Sequence, residues 1–206
     1  MGGRAGVMLE FDEPTHTYRL DGRIVPSVTR LLDSARLIDL SGIPPETLER
    51  KRLIGSAVHK ACELDDLGVL DESSIAPVIE PYFSAYRKFK RETGFVPLLI
   101  EHRVAHPALG YAGTLDRTGL VLDVPEQIDL KTTSALSPAV GVQTAAYEAA
   151  LYSDPSYDGP RNLGRKALQL RNDGTYRLET YKDPRDFAVF AALATVYHWK
   201  EKNNVR

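Results

Sequence analysis

Cysteine and tryptophan are nearly missing from this sequence: Cys62 and Trp199 are the single instances in 206 residues. A lone cysteine closes no internal disulfide and builds no thiolate cluster, which excludes Cys-type structural zinc and any iron–sulfur cluster. Such sparse cysteine use fits a reducing compartment. No window approaches the roughly 20 apolar residues that a membrane-spanning helix needs. The opening MGGRAGVMLEF reaches Asp12 and Glu13 before any apolar run of signal-peptide length. A cytoplasmic protein with no membrane partner is therefore expected. No GxxxxGK[ST] element is present, so ATP-driven movement is not encoded in this sequence. Basic charge is not in excess either: 26 Lys and Arg against 28 Asp and Glu leave a net charge of −2. Any contact with nucleic acid must come from local patches. What is present is an apolar fraction of 43% and a charged fraction of 26%, the balance of a soluble globular chain. The length suits one domain with a substantial core.

The chain reads as an α/β unit over 1–206 with a β-rich extension over about 1–30. LEFDEPTHTYRLDGRIVPSVTRLL spells short strands with an Asp21-Gly22 turn, then a helix from Pro26-Ser27 with Ser27 as N-cap. Ile43-Pro44-Pro45-Glu46 opens a helix running to about 66, with Leu48, Leu53, Val58 and Leu64 at roughly helical intervals. A third helix is expected over 74–92, carrying Val78, Ile79, Tyr82, Phe83, Tyr86 and Phe89. The period then shortens to near two: 96–104, 112–122 and 126–132 read as successive strands. An Ala-rich helix from Ser137-Pro138 to 152 follows, then a hairpin of 165–171 and 174–181 around Asn172-Asp173-Gly174, and a last helix over about 183–203.

Chemistry concentrates in YAGTLDRTGL and EQIDLKTTS. Strand alternation puts Asp129 and Lys131 on one face and Ile128 and Leu130 on the other. With Asp116 on a neighbouring strand, two carboxylates and one ammonium converge, which suits a hard divalent cation with oxygen ligands beside a proton-handling or orienting group. An exposed ion pair is the alternative for Asp129 and Lys131. In GSAVHKACEL, Gly55, His59 and Glu63 recur every fourth residue, so His59 is either a ligand or a packed or solvated imidazole. Gln143 and Tyr147, one helical turn apart, either grip a backbone phosphate or serve as surface polar groups or a helix–sheet contact. Glu101 either adds a carboxylate to the cluster or is an ordinary strand charge.

GSAVH, AGTLD, IDLKT and QTAAY, in that order across 55–147, resemble the motif series of the PD-(D/E)XK nuclease superfamily, specifically its RecB-like branch of helicase-linked nucleases and phage-encoded exonucleases. THTYRLDGRIVPSVTRLL also resembles the lead-in of phage members. The resemblance implies a restriction-endonuclease-like core, a central mixed sheet flanked by helices. It implies a deoxyribonuclease dependent on Mg²⁺ or Mn²⁺, acting as an exonuclease in recombination, repair or phage DNA processing, in a bacterial cell or a phage-infected host. His59, Asp116 and Asp129 would hold the metal, joined by the Leu130 carbonyl; Asp116, Asp129 and Lys131 would be catalytic, with Lys131 serving the attacking water. Gln143 and Tyr147 would face the nucleic acid. DNA, single- or double-stranded, is the implied partner, with room for a recombination or single-strand-binding protein beside it. A non-catalytic DNA-binding or assembly module and a restriction-type endonuclease are the alternatives on the same core. Related CRISPR-associated exonucleases of this branch carry a four-cysteine iron–sulfur cluster, and this chain, with Cys62 alone, does not encode one.

Overall fold

The computed structural model describes residues 8–38 and 42–205. Residues 1–7, which carry the start of the leader and N-terminal-extension expectations, lie outside the described residues.

Strands β1 (Leu9–Asp12), β2 (Thr17–Leu20) and β3 (Arg23–Val25) form an antiparallel meander turning at Asp21-Gly22. Helix α1 (Val28–Ser34) begins at Ser27, whose hydroxyl accepts the Arg30 N–H at 3.1 Å and satisfies one orphan donor of the first turn. Helix α2 (Pro45–Asp66) has proline in its first turn, where the missing N–H costs nothing. Its buried apolar side chains are Val58, Ala61 and Cys62, whereas Leu53 is 59% exposed. The spacing of its leucines thus located the helix without identifying its inner face.

Helix α3 (Glu80–Thr93) starts later than the expected position 74. Glu72–Ser74 is a lone 3₁₀ turn capped by Asp71, and Val78 stays outside the helix, 48% exposed. Pro77 and Pro81 explain the delay: Pro77 steers Ala76 away from the α region, and Pro81, with no N–H to donate, is tolerated only in the first turn, so the helix begins at Glu80.

Five strands build the main sheet in the order β4 (Val96–His106), β5 (Tyr111–Val121), β6 (Val124–Lys131), β7 (Gly164–Leu170), β8 (Tyr176–Tyr181). Neighbours are antiparallel except β6 and β7, whose parallel pairing needs the crossover supplied by α4 (Ala139–Ser153). Helix α5 (Asp186–Asn203) closes the order. Helices cover both faces. On one, Leu31, Tyr111, Leu115, Ala146 and Phe190 join α1, α4 and α5 to the sheet. On the other, Val58, Cys62, Phe89, Ile128 and Leu130 join α2 and α3 to it. The fold is therefore a mixed α/β sheet flanked by helices, as expected. The meander is tied to this body by Tyr18, 2% exposed, whose hydroxyl lies 2.8 Å from Thr114 Oγ1.

Candidate metal centre

The β4–β5 ladder pairs Ile100 with Arg117 and His102 with Leu115 but skips the opposed residues between them, Glu101 and Asp116. Glu101 has φ of +45°. For a residue with a Cβ this left-handed conformation costs on the order of 1–2 kcal/mol and persists only where neighbours hold it. Side-chain alternation slips here. Leu99 and Val104, an odd number of residues apart, pack into the same apolar cluster. Leu115 faces that cluster as well, while Arg117 reaches Asp66 on the opposite side of the sheet.

Pairing between β5 and β6 runs only as far as Arg117 and Ile128. Beyond it, Asp116 substitutes a side chain for the missing ladder bond: its Oδ2 accepts the Leu130 N–H at 2.6 Å. Such a bond to a carboxylate is stronger than a neutral one. His59 descends from α2 onto the same spot. Gly55, one turn earlier, favours the approach, since a Cβ there would lie 3.3 Å from Thr132 Oγ1, just past the end of β6, and that side chain would have to give way slightly. Glu63, at the next turn on the same face, instead pairs with Lys60 at 2.9 Å.

The His59 ring orientation follows from its partners. Nε2 lies 3.2 Å from the Leu130 carbonyl, which can only accept, so Nε2 carries the proton. Nδ1 then faces two carboxylates, with Asp116 Oδ1 at 3.7 Å and Glu101 Oε1 at 3.8 Å. A lone pair aimed at two anions is unfavourable unless a proton or a metal ion sits between them. One ligand atom each from His59, Glu101 and Asp116 lies within 4.8 Å of the others, and a neutral imidazole with two carboxylates is a donor set that fits a divalent cation. Glu101, left open between ligand and strand charge by the sequence, stands inside this group. Asp129 does not: its carboxylate is engaged by Lys131, Nζ to Oδ2 at 2.6 Å.

Asp129 and Lys131 share a face, as alternation requires, but only its Lys131 end reaches water, with that side chain 21% exposed. Asp129 is 2% exposed, beneath α4. Lys131 Nζ also donates to Gln143 Oε1 at 3.2 Å, and Gln143 Nε2 donates to the Tyr147 hydroxyl at 3.3 Å. Gln143 and Tyr147 are 7% and 6% exposed, so the structure puts this pair behind Lys131 within the protein. The short side chains of Ala145, Ala146 and Ala150 let α4 come this close.

Electrostatics follow from this crowding. Burial pushes the His59 imidazole toward neutrality, yet the Asp116 and Glu101 carboxylates outweigh it and hold its pKa above the ordinary value. Burial raises the Asp129 carboxyl to about 6 against the lowering pull of Lys131. Burial disfavours the Lys131 ammonium, but Asp129 and then Asp116 more than offset this and raise its pKa, so Lys131 stays charged. Burial likewise pushes the Tyr147 phenol well up.

Several basic residues that could line a phosphate track are committed elsewhere. Arg87 bonds Asp65 and Glu72, Lys90 bonds Asp65 and Asp66, and Arg165 bonds the Gly141 carbonyl and Asp186. Arg50 and Lys51 on α2 are exposed. The residue that sequence reasoning missed is Arg117, wholly buried beside Asp116 and bonded to Glu101 at 2.9 Å. Its signal was a charge directly after Asp116 in an otherwise interior strand.

No protein-family model matches this chain, and no curated protein matches it significantly. Among solved structures it is similar to an alkaline exonuclease, LHK-Exo, from Laribacter hongkongensis: 14% identity over 87% of this chain and 88% of that one, with a TM-score of 0.48.

Proposed function

We propose that this protein is a divalent-metal-dependent deoxyribonuclease of the PD-(D/E)XK type, acting as an exonuclease. The observation that carries this is the meeting of His59, Glu101 and Asp116 beside the buried Asp129–Lys131 ion pair. The ordered motifs from Gly55 to Tyr147 support the same assignment. DNA is the proposed substrate, and a reducing cytoplasm, bacterial or phage-infected, the proposed setting. All 206 residues are taken as one nuclease unit.

Phosphodiester hydrolysis needs charge stabilisation on the phosphate oxygens and a nucleophile in line with the leaving group. Mg²⁺ or Mn²⁺, when bound, supplies Lewis-acid stabilisation and an activated water. His59, Glu101 and Asp116 would hold that ion; of the other expected ligands, Asp129 pairs with Lys131 and the Leu130 carbonyl accepts from His59 Nε2. Asp116 has a second task, because its Oδ2 keeps β6 in place through the Leu130 N–H. Asp129 is an anionic anchor for Lys131, and Gln143, braced by Tyr147, fixes the other side of the ammonium. Held this way, Lys131 presents a charge that orients the nucleophile and stabilises the developing oxyanion. On this reading Gln143 and Tyr147 act on the nucleic acid only through Lys131.

The test is incubation with linear single-stranded, linear duplex and closed circular DNA in Mg²⁺, Mn²⁺ or EDTA. Degradation of linear DNA with the metals, none in EDTA, and survival of circles is expected. Full cleavage in EDTA ends the metal assignment. Rapid nicking of circles makes the enzyme an endonuclease, and binding without cleavage in either metal makes it a DNA-binding module.

A further inference from the structure

We propose that Arg117 is a positioning residue of the metal centre: it clamps Glu101 and Asp116 into their converging geometry and thereby sets the affinity for the cation. The inference rests on the metal-centre reading above and extends it to a residue that touches neither cation nor substrate.

One guanidinium spans the interruption in the β4–β5 ladder. Arg117 Nη1 donates to the Glu101 carboxylate at 2.9 Å and to the Asp116 backbone carbonyl at 2.6 Å, thus to the side chain of one skipped residue and the main chain of the other. Its Nε donates to Asp66 Oδ2 at 2.7 Å. Asp66 is itself immobilised: its side chain is fully buried and accepts from Tyr86 Oη at 2.5 Å and from Lys90 Nζ at 2.7 Å. The clamp is therefore anchored to α2 and α3, the layer from which His59 approaches. Glu101 needs such a clamp, because its left-handed backbone is not a conformation that a strand residue adopts unaided.

As a stabilising device alone the arrangement is poor. A buried ion cluster is often no better than apolar packing of the same volume, and Arg117 Nη2 is buried with no hydrogen-bond partner among the described residues. Positioning accounts for what stability does not: the planar fork has the reach to tie an anchor, a ligand carboxylate and the ligand strand together, which a lysine cannot do. Two effects of Arg117 on a cation oppose each other. Its charge repels, but Asp66 and Glu101 already neutralise it, so the geometric effect wins and removal should weaken binding.

Calorimetric titration of Mn²⁺ into the metal-free full chain, below each variant's thermal transition, tests this. Arg117→Met should weaken Mn²⁺ binding by about tenfold or more, the scale found when outer partners of metal ligands are removed. Arg117→Lys, which keeps the charge and loses the fork, should bind nearly as weakly. The Glu101→Gln, Arg117→Met double variant should lose less than the product of the two single losses, because both changes act on one carboxylate. If neither Arg117 variant folds, Asp66→Asn keeps the shape while removing the anchor's charge, and severalfold weaker binding is expected. Unchanged or tighter binding in Arg117→Met, restoration by lysine, multiplying losses, or wild-type affinity in Asp66→Asn would each overturn the proposal. The underlying reading has its own control: Asp116→Ala should abolish Mn²⁺ uptake. If it does while Arg117→Met binds normally, only the clamp fails; if the wild type takes up no Mn²⁺, the metal centre fails and the clamp with it.

Discussion

Gly113 gives way to Tyr147: a Cβ at position 113 would fall 2.6 Å from Cε1 of that ring. The glycine of AGTLD is thus explained by the tyrosine of QTAAY, which braces Gln143 behind Lys131. Gly113→Ala must push the ring and, through Gln143, disturb the ammonium. We expect a loss of about 1–3 kcal/mol in urea unfolding, the usual range for overpacking, with slower cleavage. Wild-type stability together with wild-type cleavage would show that the ring has room to move.

Asp116 performs two tasks that a pair of substitutions separates. Asp116→Asn keeps an oxygen to accept the Leu130 N–H, whereas Asp116→Ala leaves that donor unpaired, at a cost of about 1–3 kcal/mol if water does not reach it. Both should lose Mn²⁺ binding and cleavage, while only the alanine variant should melt markedly lower. Equal thermal midpoints would remove Asp116 from the sheet's architecture. Retained cleavage in either variant would remove it from the active centre.

Lys131 and Gln143 should be separable from DNA binding. Lys131→Ala is expected to bind Mn²⁺ and DNA yet cleave slower by on the order of 10² or more, as when one electrostatic stabiliser is deleted. Gln143→Leu should show the same pattern in weaker form, since it removes the acceptor at 3.2 Å but leaves Asp129. Single-turnover rates beside binding curves decide the point. A weakened DNA affinity with an unchanged single-turnover rate in Gln143→Leu would put that amide on the nucleic acid instead.

The turn joining β5 and β6 offers a stability test away from the site. Leu122 and Asp123 both have positive φ, 50° and 63°, and Leu122 is 69% exposed. Asn-Gly suits both positions of such a turn far better than Leu-Asp. The pair Leu122→Asn, Asp123→Gly should raise unfolding stability by about 1–2 kcal/mol and leave cleavage untouched. A lower denaturation midpoint would show that this turn is held by something other than local backbone preference.

Elements came from the sequence where local rules suffice. Ser27 announced α1, the Asn172-Asp173-Gly174 signal announced the β7–β8 hairpin, and alternation put Asp129 and Lys131 on one face. Proline chemistry set the start of α3 at Glu80. The ordered fragments from Gly55 to Tyr147 gathered the right stretch of chain. What they could not fix was how its members meet. A side chain's face follows from alternation only in an unbroken strand, and the ladder breaks at Glu101 and Asp116. That break turns Arg117 toward Asp66 and brings Glu101 up to His59. Gln143 and Tyr147 look solvent-facing in sequence because burial there depends on α4 lying over β6, a contact between segments that no local pattern encodes. Residue types and their order therefore belonged to the sequence. Which carboxylate faces the imidazole, and which lies against the lysine, was decided only by the packing of α2 and α4 on opposite faces of one interrupted sheet.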